Sequence, residues 1–115
     1  MKHINLRNIK LVDELMSFCY KYGAKKININ IENTDNKVII DLKAYIEHIS
    51  EKTLEILNTL LSAPRCREME EYYWNLSGDD DTDTELTLVG MMSDEAEINY
   101  NPDTKLLKIT LKRMF

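Results

Sequence analysis

Ile27-Asn28-Ile29-Asn30-Ile31-Glu32, then Asn33-Thr34-Asp35-Asn36, then Val38-Ile39-Ile40-Asp41-Leu42-Lys43: this run carries the reading of the fold. Apolar residues recur at every second position on both sides of a four-residue cluster of turn formers. Successive side chains of a strand point to opposite faces, so the pattern predicts a hairpin with one apolar face and one mostly polar face. A second such pattern lies further on. Ile98 and Tyr100 lead into Asn101-Pro102-Asp103-Thr104, where Pro suits the second position of a type I turn. Leu107, Ile109 and Leu111 then alternate with Lys108, Thr110 and Lys112. Strands that are apolar on one face only do not build a doubly wound parallel sheet, whose strands are buried on both faces. They need a helical layer against one side.

The flanking sequence supplies that layer. Leu11, Leu15, Phe18, Cys19 and Tyr22, with Val12 beside them, keep helical spacing over 8–22, and Gly23 follows as the residue that closes the helix. A second helix is expected over 50–62, with Ser50 as its N-cap and Leu54, Leu57, Leu60 and Leu61 as a buried stripe that Ile56 widens. The stretch Tyr45 to Ile49 reads equally as strand end or helix start. Pro64 opens a third helix, in which Cys66, Met69, Tyr73 and Leu76 share a face and Gly78 ends the run. After an acidic loop, Thr82-x-x-Glu85 resembles a capping box for a short helix carrying Leu86, Val89 and Met92. The expected order is α-β-β-α-α-α-β-β. The fold class is α+β, a two-layer sandwich of an antiparallel sheet of two hairpins with helices on one face. At 115 residues, positions 1–115 form a single domain.

Composition narrows the function. The formal net charge is −5 and the basic residues are scattered, which disfavours nucleic acid as a partner. No apolar run approaches the ~20 residues of a membrane span, and Met1-Lys2-His3-Ile4-Asn5 lacks the core of a signal peptide. The expected location is cytoplasmic. Cys19 and Cys66, far apart and without a CxxC, fit reduced, packed thiols.

Candidate sites are few. Asp79, Asp81 and Asp83 have the spacing that begins a calcium loop, but Thr84 stands where the turn needs Gly and Gly90 where the bidentate Glu belongs. That loop reads as solvated. His3 and His48 each lack a second ligand one turn away, so no metal site is expected. Glu68, Glu70 and Glu71 with Arg65 and Arg67 read as a salt-bridged outer face. Helical spacing places Trp74 opposite Tyr73, so Trp74 and its neighbour Tyr72 are candidate anchors for a partner protein. The polar sheet face of Asn28, Asn30, Glu32, Asp41, Lys43, Asn99, Lys108, Thr110 and Lys112 is either plain solvent surface or a docking surface.

The segment Glu14-Leu-Met-Ser-Phe-Cys-Tyr-Lys-Tyr-Gly-Ala24, followed by Lys25-Lys-Ile-Asn-Ile-Asn-Ile31, resembles the start of the histidine-kinase-like ATPase fold. Sensor kinases, anti-sigma-factor serine kinases, gyrase and a heat-shock chaperone share that fold. Glu85-Leu-Thr-Leu-Val89 is similar to the helix after the family's lid, and Glu97 to Arg113 to its last two strands. The resemblance implies Mg-ATP chemistry, with Glu14 as activating base and Asp41 holding adenine. The sequence departs from the family where that chemistry sits. Phe18 replaces the metal-binding Asn, Leu42 to Tyr45 contains no glycine of the adenine loop, and Thr84-Glu85-Leu86 replaces the Gly-rich lid. The expectation is therefore a non-catalytic regulatory domain, without a cofactor, acting through contacts with another protein or with itself. The alternatives are an ATP-binding serine kinase of the anti-sigma type, or an unrelated α+β domain that forms a homodimer through an apolar helix face.

Overall fold

The computed structural model describes residues 4–62, 86 and 89–114, with side chains from Leu6 onward. Within them the chain runs α1 (Ile4–Lys21), β1 (Lys26–Asn33), β2 (Lys37–Tyr45), α2 (Glu51–Leu61), a helical stretch at 86 and 89–91, β3 (Glu95–Asn101) and β4 (Leu106–Met114). The third helix expected after Pro64 and the acidic loop fall outside the described residues.

Both hairpins form where the period-two pattern placed them. They join through β2 and β4, so the sheet order is β1-β2-β4-β3 and every neighbouring pair is antiparallel. The register puts Val38, Ile40, Leu42 and Ala44 beside Arg113, Leu111, Ile109 and Leu107. All of these are buried. Leu11, Leu15, Phe18 and Cys19 of α1, Leu57 and Leu61 of α2, and Leu86, Val89 and Met92 close the same core from above. The architecture is thus α+β, with helices laid on one face of an open antiparallel sheet.

Local chemistry explains the element ends. Gly23 takes a φ of +84°, and its N–H donates to the Tyr20 carbonyl at 3.0 Å while the Ala24 N–H donates to that of Cys19 at 3.0 Å. This paired closure is the Schellman motif, which uses glycine because a Cβ disfavours the left-handed region. Ser50 caps α2, its Oγ accepting from the Thr53 N–H at 3.1 Å. Asn101 Oδ1 accepts from the N–H groups of Asp103 at 2.9 Å and Thr104 at 3.3 Å, which folds the β3–β4 turn.

Two expectations need correction, and one open reading resolves toward the strand end. Helix α1 begins at Ile4 rather than residue 8. Tyr45 ends β2, and the next residues are irregular up to the Ser50 cap. Ile56 does not widen the buried stripe of α2: it is 46% exposed, because it lies one position before the inward Leu57 and on another face.

One inward position of the sheet is charged. Arg113 is buried at the end of β4, and its Nη1 donates to the Met92 carbonyl at 2.5 Å. That carbonyl follows the helical stretch 89–91, where a positive group complements the helix dipole. Ser93 Oγ donates to the Val89 carbonyl at 2.8 Å, and the Asp94 N–H to the Lys112 carbonyl at 2.8 Å. Together they fasten this stretch to the end of β4.

Candidate functional site

The face of the sheet turned away from the helices is built in rows by the strand register. One row runs Asn28, Lys43, Lys108, Asn99 across the four strands, and the next runs Asn30, Asp41, Thr110, Glu97. Every residue of the polar face expected from the sequence lies here. Thr110 Oγ1 donates to Asp41 Oδ1 at 2.8 Å. Lys43 and Lys108 stand directly opposite one another, and like charges so placed repel. A shallow trough of about 580 Å³ lies along these rows, lined in part by Asn28, Asp41, Lys43 and Thr110. Such a surface can offer hydrogen bonds and positive charge to a polar group.

The residues implied by the kinase resemblance do not meet. Glu14 sits on α1 and pairs with Lys10 Nζ at 2.9 Å. Helix α1 covers the Ile40 and Leu42 side of β2, whereas Asp41 alternates with those residues and faces the open side. The sheet therefore separates Glu14 from Asp41. Phe18, at the position of the family's metal-binding Asn, is buried with its ring centroid 4.8 Å from that of Tyr22. Tyr72 and Trp74 lie outside the described residues. Among the described residues no three His, Cys, Asp or Glu side chains converge as a metal site would require, and no helix is long and apolar enough to cross a membrane. Cys19 is fully buried, and burial pushes its thiol up to about 12.

The clearest surface feature escaped the sequence reading. Helix α1 carries a second apolar series on the side away from the core. Leu6 is 53% exposed and Ile9 and Tyr20 are each 60% exposed, with half-buried Met16 between them. Leu6, Ile9, Val12 and Met16 line a shallow apolar groove with Lys10 and Asp13. The signal was present as spacing: residues 6, 9, 16 and 20 recur at helical intervals just as 11, 15, 18 and 22 do. No family model, no curated protein and no solved structure matches this chain.

Proposed function

We propose that this chain is a non-catalytic regulatory domain that works by binding another protein, on a degenerate version of the histidine-kinase-like ATPase fold. The observation that supports it is the exposed apolar stripe on α1. Apolar surface left exposed on a folded domain commonly marks a protein contact, and Leu6, Ile9, Met16 and Tyr20 lie along one helix face, interrupted by Asp13, in the manner of a helix offered to a groove. The open sheet face, Tyr72 and Trp74 are the further candidate surfaces. The competing reading is an ATP-binding kinase. It needs Glu14 and Asp41 in one cleft, and the sheet lies between them.

The test has two arms. Affinity purification of the chain from its own cells should recover a protein that the Ile9→Glu variant loses. Calorimetric titration with ATP and Mg²⁺ should show no saturable heat. Saturable micromolar binding abolished by Asp41→Asn overturns the reading and restores the kinase.

A further inference from the structure

Strand β1 is an edge of the sheet, bonded on one side only among the described residues. Natural edges are usually blunted by Pro, an inward charge or a bulge. From Ile27 to Ile31, β1 has no charge and no Pro, only alternating Ile and Asn. Ile31 is 42% exposed on the helix side, and Ile27 and Ile29 are half-buried there. The free main-chain groups can be assigned. The Thr34 N–H donates to the Lys37 carbonyl at 2.9 Å, so these two residues form a hydrogen-bonded pair. Antiparallel pairs alternate between bonded and non-bonded. The main-chain groups of Lys26, Asn28, Asn30 and Glu32 therefore point to β2, and those of Ile27, Ile29 and Ile31 point outward.

We propose that this edge is a homodimer interface, in which two copies pair β1 with β1 antiparallel about a two-fold axis at Ile29. Residues on the same face must pair, since a slip by one residue turns the isoleucines outward. With the axis at Ile29, Ile29 faces its own copy, Ile27 faces Ile31, Asn28 faces Asn30, and Lys26 faces Glu32 of the second copy. Each isoleucine pair exchanges both outward main-chain bonds. Two-fold symmetry repeats every contact, so both ends of the joint carry a Lys–Glu pair. A slip by two residues loses this match: Lys26 then faces Asn30 or Thr34. The strand matches its charges to itself in one register, and that register is among those its outward N–H and C=O groups allow. The other edge, β3, offers no such match, because Glu95 and Glu97 are its charged residues. The dimer joins two four-stranded sheets into one, with both helix layers on the same side. This interface is separate from the α1 stripe and does not depend on it.

Sedimentation equilibrium of the full chain over the micromolar range should give about twice the 13.5 kDa chain mass. Lys26→Glu and Glu32→Lys, made singly, each place like charges opposite one another at both ends and should weaken association by about tenfold or more. The combined charge swap should restore the dimer. In amide exchange by NMR, Ile27, Ile29 and Ile31 should be protected in the wild type and exposed in Lys26→Glu, while Asn28 and Asn30 stay protected in both, which also shows that the variant is folded. A wild-type chain that remains monomeric, a dimer indifferent to the single reversals, or a folded double variant that stays monomeric overturns the proposal.

Discussion

Gly90 lies against the carbonyl of Leu60, so close that a Cβ at this position would stand 2.4 Å from that oxygen. The helical stretch at 89–91 crosses the end of α2 at this point, and the obstructing atom is backbone, which cannot swing aside. Gly90→Ala should destabilise the fold by about 1–3 kcal/mol, the usual range for overpacking. Urea denaturation followed by far-UV circular dichroism would measure it. An unchanged midpoint would mean that the two segments do not touch there.

Gly23 gives the opposite case. A Cβ at Gly23 meets nothing within 4 Å, so only the φ of +84° opposes a side chain. Gly23→Ala should cost about 1–2 kcal/mol from the left-handed backbone alone. Gly23→Asn should recover part of that, since Asn tolerates this region better. Thermal melts of the two variants would show the order.

The two apolar faces of α1 should respond differently to truncation. Leu15 is fully buried, and Leu15→Ala should cost about 2–5 kcal/mol through lost burial and a residual cavity. Ile9 is 60% exposed, and Ile9→Gln should stay within about 0.5 kcal/mol of the parent. Paired denaturant titrations would compare them. Similar losses would place Ile9 in the core.

Cys19 makes stability depend on alkaline pH. In the unfolded chain the thiol ionises near its ordinary value of 9.0, while in the fold burial holds it protonated to about 12. Between these values the unfolded state binds fewer protons, so stability is fully present below about pH 9 and falls as pH rises through the window. The slope from one such group approaches about 1.4 kcal/mol per pH unit. Cys19→Ala should flatten this limb in urea titrations between pH 8 and 11. In the native protein at neutral pH, peptide-level mass spectrometry should find Cys19 unlabelled by a thiol reagent until the chain unfolds.

The sheet was legible because its signal is short-range and doubled. Ile27, Ile29 and Ile31 and then Val38, Ile40 and Leu42 keep the same alternation on either side of one turn, and an alternation of two leaves little choice of face. Ser50 and Gly23 were legible because capping depends on a single side chain or on its absence. Other features depend on partners distant in sequence. Nothing local marks Gly90 as a crossing point, since Leu60 alone makes it one. Arg113 continues the inward series of Leu107, Ile109 and Leu111, yet its burial rests on the Met92 carbonyl. The separation of Glu14 from Asp41 was also hidden, although the alternation that buries Ile40 and Leu42 already turns Asp41 the other way. The side on which α1 lies is the long-range fact that decides it.

The central seam of the sheet joins β2 to β4, pairing Tyr45 with Leu106 and Lys37 with Met114. Such long-range closure slows folding, because chain entropy is lost before the contacts form. It also means that no fragment ending before Leu106 can pair the edge of β2 away from β1 with its native partner. During synthesis on the ribosome, the first hairpin therefore waits with that edge of β2 unpaired until the last strand emerges.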